Sequence, residues 1–556
     1  MAKMTGSEVL MEILRKEGVK YVFGIPGATE LLFMDAIEKS PDIKYILGLN
    51  EVVCVGMAEG YARTTGKPGF LNLHTNTGLS ASLAMLLNAQ KGGVPLVVTA
   101  GQQDTRLLLR DPALWGNLVE IARPFTKWSA EVLYPEDIPI AIQRAFKLAM
   151  QPPTGPVFVS LPQNVLGEIV DFEYTQNTPT LYKIRPDKDA INLAVDIILK
   201  AKRPIILVET GITKNNALSE IVKFSELIGA PVYQTWMSDV NFPVNHPQYL
   251  GALDPSDPKA KEVLKPVDVF ISVGVPLFRQ AIYSPGPILP KHIKVIQIDD
   301  DPWEIGKNFP VSCGLQGHIK ETLVELIEQL NKKMSSQFRD EASIRKKEIA
   351  QEKQAMETAF LKKAEEEWDF SPISVRRFVM ELKEAIKPGT LIVDDCWSSS
   401  GILQWGLGFS EPLTFQRARG GGSIGWGLSG SLGVKLGAPE KPVVAVCGDG
   451  SALWSIQSLW TAAHYHIPVT FIILSNATYA QVKVMRKKIL GGDVSERHEG
   501  MELDQPTVDF SLLAKSMGVN GERIERPEAL KNVLRSAFEA NEPRLIEVLI
   551  QKNPPL

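Results

Sequence analysis

Asp449 and Asn476 are the residues whose types and placement most directly suggest chemistry. Gly448-Asp449-Gly450-Ser451 closes an apolar strand, Val443 to Cys447, and Asn476 closes a second, Val469 to Leu474. A helix-compatible segment joins them. Two parallel strands are therefore predicted, with both carboxyl ends on one sheet edge, where ligands of open α/β sheets sit. An Asp carboxylate and an Asn carbonyl are hard oxygen donors. They suit Mg²⁺, which takes few protein ligands and keeps positions for phosphate oxygens and water. Gly448 and Gly450 let the backbone approach phosphates closely, and the helix that follows can offer its positive N-terminus. Alone, Gly-Asp-Gly is a turn sequence. With the Asn after the next strand, it reads as a metal site holding a diphosphate.

Two further residues could move protons. Glu51 follows the strand Tyr45-Ile46-Leu47 and opens a helix predicted over Glu51 to Thr64. An acid in the first turn is stabilised by the helix dipole and needs no other role. His74 ends the strand Phe70 to Leu73, within Asn72-Leu73-His74-Thr75-Asn76-Thr77-Gly78. A histidine there can be purely structural, yet it is also the natural acid–base group near neutral pH.

The elements that must position these residues alternate strand and helix. In the first stretch the strands are Tyr21-Val22-Phe23, Tyr45-Ile46-Leu47, Phe70 to Leu73, Leu96-Val97-Val98 and Val157-Phe158-Val159. A second set, Ile205 to Val208, Val267 to Val273 and Lys294 to Ile298, precedes a third, which carries the Asp449 motif. Such alternation implies an α/β chain of doubly wound parallel sheets. Three such domains are predicted, over 1–180, 188–335 and 369–556. A polar, Pro-containing linker over Thr175 to Asp187 joins the first two, and a charged helical linker over 336–368 leads to the third.

The chain has 556 residues, 44% hydrophobic and 22% charged, with a formal net charge of -4. This is the composition of a globular enzyme without a basic field for nucleic acid. No apolar run reaches membrane-spanning length, and Thr5 with Glu8 reads as a helix-capping box rather than part of a signal peptide. Cys54, Cys313, Cys396 and Cys447 are widely spaced without a CxxC, which points to reduced thiols, no zinc site and a cytoplasmic location.

The Gly-Asp-Gly to Asn motif resembles the signature of the thiamine diphosphate (ThDP) dependent pyruvate decarboxylase and acetolactate synthase superfamily. The order of three α/β domains is similar to its pyrimidine-binding, central and diphosphate-binding domains. The resemblance implies ThDP and Mg²⁺ as cofactors, the metal being held by Asp449, Asn476 and the carbonyl of Thr478. Asn50-Glu51-Val52-Val53 resembles the stretch with the family's activating glutamate, which holds a ring nitrogen of the aminopyrimidine. Ser398, Gly422, Gly448, Gly450, Ser451 and Tyr479 are expected among the other cofactor contacts, and Ile424 as the bulky residue beneath the bent cofactor. Because glutamate and metal site lie on different domains, and in this family on different subunits, a homodimer or homotetramer is implied.

Asn72 to Gly78, Thr99-Ala100-Gly101-Gln102-Gln103 and Arg123 to Trp128 resemble benzoylformate decarboxylases in particular, with His74 as the second catalytic residue. A non-oxidative decarboxylase acting on a small 2-oxo acid and releasing aldehyde and CO₂ is the implied activity. The alternative is a carboligase or C–C lyase of the acetolactate synthase, hydroxyacyl-CoA lyase or benzaldehyde-lyase type. Two departures bear on the substrate pocket. Ala28 replaces a carboxylate-binding serine, and Leu277-Phe278-Arg279-Gln280-Ala281 lacks the second active-site histidine. Loss of a charged hydrogen bond costs about 1.5–3 kcal/mol. Gln481 and Met485 match pocket-lining positions, and Gln481 makes the pocket more polar. Lys483, Arg486, Lys487 and Lys488 read as a solvated helix face, and His464 and His466 as structural.

Overall fold

The computed structural model describes residues 2–173, 183–236, 238–254, 257–280, 282–283, 287–418 and 420–552. The linker predicted over Thr175 to Asp187 falls largely outside them, as does Ala281. The expected chain of α/β units is present as three six-stranded sheets, every strand pair in them parallel. Inner strands such as Leu96–Gln102, Val157–Pro162 and Val269–Val273 are buried along their whole length, as expected of parallel sheets covered on both faces. A short antiparallel pair, Ala2–Thr5 with Ile169–Phe172, ties the amino end down. Thr5 then caps the helix Gly6–Lys16 in the predicted box with Glu8.

The first and third sheets share one topology. In space the first runs Lys44–Leu47, Tyr21–Gly24, Gly69–Leu73, Leu96–Gln102, Val157–Pro162, Ser129–Glu131. The third runs Phe415–Arg417, Leu391–Asp395, Val443–Gly448, Thr470–Ser475, Arg544–Leu549, Asn520–Ile524. Numbered within each unit, both read 2-1-3-4-6-5. The central sheet, whose strands lie between Pro204 and Gln316, reads 3-2-1-4-5-6.

Ligand crevices in open α/β sheets form outside the carboxyl ends of the strands, where the strand order reverses. In the first unit that place lies between Tyr21–Gly24 and Gly69–Leu73, beyond which stand Ala28, Glu30 and His74. In the third it lies between Leu391–Asp395 and Val443–Gly448, beyond which stand Ser398 and Asp449. The two groups of candidate residues thus occupy equivalent positions on two like sheets.

The helices that follow the second strand of each unit pack on each other. They are Glu51–Thr65 and Trp426–Gly437, and their glycines allow backbone contact. A Cβ on Gly60 would lie 2.1 Å from the carbonyl oxygen of Gly430, and one on Gly433 only 1.9 Å from that of Met57. One hydrophobic core accordingly runs through both units, from Phe23 and Leu71 to Trp426 and Phe471. Charges are buried where the three units meet. Arg63 donates to Asp239 at 2.8 Å and to the Arg417 carbonyl at 2.8 Å, and its guanidinium lies 4.4 Å over the Trp426 ring.

The charged stretch after the central unit is one helix, Ser336–Glu366. It is not solvated throughout. Phe338, Ala342 and Ile349 are buried, the first two in the core of the central unit, and Lys353 is buried with its ammonium 3.6 Å over Trp405. The segment after Gly448 also differs from the expected single helix. A turn of helix, Asp449–Ala452, is separated from Ser458–His464. Gly448 to Ser451 therefore presents backbone at a short helical turn rather than at the head of a long helix.

Candidate active site

Asp449 begins this turn and is buried, 6% exposed. Its Oδ1 accepts from the Gly450 amide at 2.7 Å, and its Oδ2 from the amides of Asn476 and Ala477 at 3.0 and 2.6 Å. The carboxylate therefore stitches the ends of the third and fourth strands together. Burial raises its pKa and these amides oppose the rise. Ala477 adopts a left-handed φ of 54°, which turns the chain back so that Asn476 Oδ1 can accept from the Thr478 amide at 3.2 Å. A Cβ on Gly450 would meet the Tyr479 ring at 2.4 Å, so the close approach there requires glycine.

A cavity of about 380 Å³ opens beside this loop. Ser398, Gly422, Ile424, Gly448, Asp449, Gly450, Ser451, Asn476, Thr478, Tyr479 and Gln481 all line it. Every lining residue belongs to the third unit. Met485, on the helix Ala480–Leu490, is half-buried and not among them.

Three polar arrangements that sequence reasoning missed hold this cavity in shape. The first is Asp395, a buried carboxylate at the end of Leu391–Asp395. It accepts from the amides of Gly425 and Gly427 at 3.0 Å each, from Trp397 Nε1 at 2.8 Å and from the Ser451 hydroxyl. Burial pushes it up to about 6 against these hydrogen bonds. Its signal in the sequence was an acid closing an apolar strand, the same pattern as Asp449.

The second is Asn88 of the first unit, whose amide donates to the Ser423 carbonyl at 2.8 Å and accepts from the Ser423 amide at 3.1 Å. It holds the Gly420-to-Ile424 loop against the helix Thr75–Gly92. A Cβ on Gly421 would overlap it at 2.3 Å.

The third corrects the expected solvated face of the helix Ala480–Leu490. Lys483 is buried, its side chain 2% exposed, and pairs with Glu502 at 2.6 Å. Burial pushes the Glu502 carboxyl up, but Lys483 and Lys552 outweigh it and leave it at about 2. Thr478 Oγ1 donates to the Met501 carbonyl at 2.7 Å and the Tyr479 amide to the same carbonyl at 2.8 Å. The segment around Glu502 thereby latches the loop that contains Asn476 and Thr478.

The first unit carries the other candidates. Asn50 caps the helix Glu51–Thr65 by accepting from the Val52 amide at 2.9 Å, which places Glu51 in its first turn. Burial raises the Glu51 pKa, opposed by its backbone hydrogen bond and by His74. Gly78 lies between the two residues. A Cβ there would be 3.1 Å from Glu51 Oε1 and 3.6 Å from the His74 Cβ. His74 precedes the helix Thr75–Gly92, and its Nδ1 is 2.8 Å from Oε2 of the buried Glu30. Ala28 is exposed at the start of the turn Ala28–Glu30. The structure thus gathers Glu51, His74 and Ala28 at one sheet edge and the Asp449 group at another.

The residues present fit magnesium and a diphosphate. The metal donors on offer are one carboxylate, one side-chain amide and backbone carbonyls. Among the described residues no cluster of three or more His, Cys, Asp or Glu forms a metal site. A donor set this sparse and this hard leaves coordination positions for phosphate and water, as Mg²⁺ prefers. The close-packed Gly450 and the Ser398 side chain supply a small, polar wall for phosphate oxygens, and Ser451, whose hydroxyl donates to Asp395, lines it.

Comparison with known proteins gives the family. Residues 4–115 match the thiamine pyrophosphate enzyme N-terminal TPP binding domain, 191–326 its central domain and 398–548 its C-terminal TPP binding domain. Benzoylformate decarboxylase of Pseudomonas aeruginosa is 30% identical over 560 residues, 98% of either chain. The acetolactate synthase large subunit of Haemophilus influenzae is 32% identical, covering 97% of this chain and 93% of its own.

Among solved structures, benzoylformate decarboxylase from Polynucleobacter necessarius superposes with a TM-score of 0.87 at 27% identity over 99% of both chains. A thiamine diphosphate-dependent 4-hydroxybenzoylformate decarboxylase from Rhodococcus jostii gives 0.85 at 27%, over 99% of this chain and 100% of its own. The chain belongs to the thiamine pyrophosphate enzymes, in the branch that contains both decarboxylases and acetolactate synthases. Thiamine pyrophosphate is the same molecule as ThDP.

Proposed function

We propose that the protein is a Mg²⁺- and ThDP-dependent 2-oxo acid decarboxylase that releases an aldehyde and CO₂. The observation that carries this reading is His74 standing at the carboxyl end of Gly69–Leu73, across Gly78 from Glu51. Such a pair offers a proton relay beside a reacting carbonyl. When bound, ThDP supplies the electron sink that accepts the bonding pair as CO₂ leaves.

The chain's own residues do the rest. Asp449, Asn476 and the Thr478 carbonyl hold the metal, while Gly422, Gly448, Gly450, Ser398 and Ser451 seat the diphosphate. Tyr479 packs against Gly450 in that seat, and Ile424 would give the cofactor an apolar support beside it. Glu51, half-buried and with a raised pKa, holds a proton at a ring nitrogen. His74 gives and takes the proton at the substrate carbon and oxygen. Since the cavity is walled by the third unit alone, we assign Glu51 and His74 to the cavity of a second copy, which makes the working form a dimer or a dimer of dimers.

Ala28 and Gln481 favour a second reading. A small residue at 28 leaves room for a second carbonyl compound, and Gln481 can hydrogen-bond it, so carboligation would follow the same first steps. Incubating the purified protein with ThDP, Mg²⁺ and a panel of 2-oxo acids from pyruvate to benzoylformate, with products identified by NMR, separates the two. Aldehyde and CO₂ in equal amounts are expected. A hydroxyketone or acetohydroxy acid as the main product would replace the decarboxylase with the carboligase.

A further inference from the structure

Glu30 is the buried carboxylate behind His74, its side chain 1% exposed. Three donors from the surrounding chain already converge on it. Oε1 accepts from the Gly101 amide at 2.9 Å and the Thr29 hydroxyl at 2.8 Å, and Oε2 accepts from the Gly27 amide at 2.9 Å. Backbone amides can only donate, so Glu30 is held as an acceptor at both oxygens. His74 Nδ1 lies 2.8 Å from Oε2. As a carboxylate, Glu30 carries no hydrogen of its own, so the hydrogen on that line belongs to Nδ1.

Thr29 Oγ1, 3.4 Å from Nδ1, gives its own hydrogen to Glu30 and can only receive a second one. The neutral ring is thereby fixed with hydrogen on Nδ1 and a free lone pair on Nε2. His74 Nε2 makes no hydrogen bond among the described residues, and the side chain is 20% exposed. Gly27 holds the ring from the side, since a Cβ there would overlap it at 2.1 Å.

We infer that Glu30 is a positioning residue that locks His74 in its Nδ1–H tautomer and so presents Nε2 to the reacting centre, first as proton acceptor and then as donor. This rests on the reading of His74 as the acid–base group. Glu30 does not touch substrate or cofactor. It acts through the imidazole, because the hydrogen bond at one ring nitrogen decides the state of the other.

The test uses full-length protein with ThDP and Mg²⁺, labelled with ¹⁵N-histidine, in magic-angle-spinning NMR. Protonated and bare ring nitrogens resonate apart. With seven histidines in the chain, His74 is identified by the signals lost in His74→Gln. The expected wild-type spectrum has His74 protonated at Nδ1 and bare at Nε2. In Glu30→Gln the new amide NH₂ can donate to Nδ1, so the proton should move to Nε2. Turnover should then fall about 10²-fold with KM little changed, and Glu30→Asp should restore part of both signals.

A wild-type His74 protonated at Nε2, or a Glu30→Gln spectrum unchanged from wild type, would overturn the inference. Should Glu30→Gln not fold, the wild-type spectrum alone decides. If His74→Ala keeps full turnover while the tautomer still follows Glu30, the lock stands and the acid–base reading of His74 is what fails.

Discussion

Glu51→Gln is expected to lower ThDP-dependent turnover by about 10²–10⁴-fold, the usual worth of a positioned acid–base group, while cofactor affinity stays within a few-fold. The substitution keeps the volume, the first-turn position and the Asn50 cap, so the helix Glu51–Thr65 should be unaffected. It removes only the exchangeable proton. The raised pKa of Glu51, caused first by burial, suits that role. A carboxyl whose neutral form persists to higher pH can lend and recover a proton under conditions where an exposed glutamate stays ionised. Steady-state rates at saturating ThDP, with affinity measured separately by titration calorimetry, check this. A near-native rate would remove Glu51 from the mechanism.

Asp449→Ala should act on binding instead. The variant loses the only carboxylate of the proposed metal site and leaves the amides of Gly450, Asn476 and Ala477 without their acceptor. Changing the outer partners of a metal ligand already costs about 10–100-fold in metal affinity, so loss of the carboxylate ligand itself should weaken Mg²⁺–ThDP binding by at least roughly 10²-fold. The freed amides add to this by loosening the turn at Ala477. Calorimetric titration with ThDP at fixed Mg²⁺ measures it, and thermal unfolding of the cofactor-free protein separates lost affinity from lost folding. Unchanged affinity in a folded variant would move the metal elsewhere.

How legible these features were depended on the distance over which they are encoded. Asp449 and Asn476 could be read because each sits directly after an apolar strand, a local pattern that survives folding unchanged. His74 directly follows Gly69–Leu73 in the same way, and Glu51 follows Lys44–Leu47 after Gly48-Leu49-Asn50. Which strand lies beside which is decided by pairing between segments far apart in the chain. The matching 2-1-3-4-6-5 order of the first and third units therefore stayed hidden, and with it the equivalence of their two crevices.

Lys483 is indistinguishable in sequence from the other basic residues of its helix, because its partner, Glu502, lies beyond the helix on a later segment. Glu30 stands two residues after Ala28 with no role visible in the sequence, since the histidine it holds is 44 residues further on. The helix Ser336–Glu366 was legible as a helix but not as a packed one. Its few buried positions, among them Phe338, Ala342 and Ile349, are scattered through a strongly charged sequence.

The proposed dimer draws Glu51 of each reaction centre from one chain and Asp449 from another, so Glu51→Gln and Asp449→Ala are produced together in one cell and assayed at a ThDP concentration that saturates only the wild-type site. Paired at random across a two-fold interface, half of the dimers carry one Glu51→Gln chain and one Asp449→Ala chain, and one of their two centres is then intact. Roughly a quarter of wild-type turnover per chain is predicted. A mixture as inactive as either parent, with hybrid dimers confirmed by native mass spectrometry, would place both residues in a centre built within a single chain.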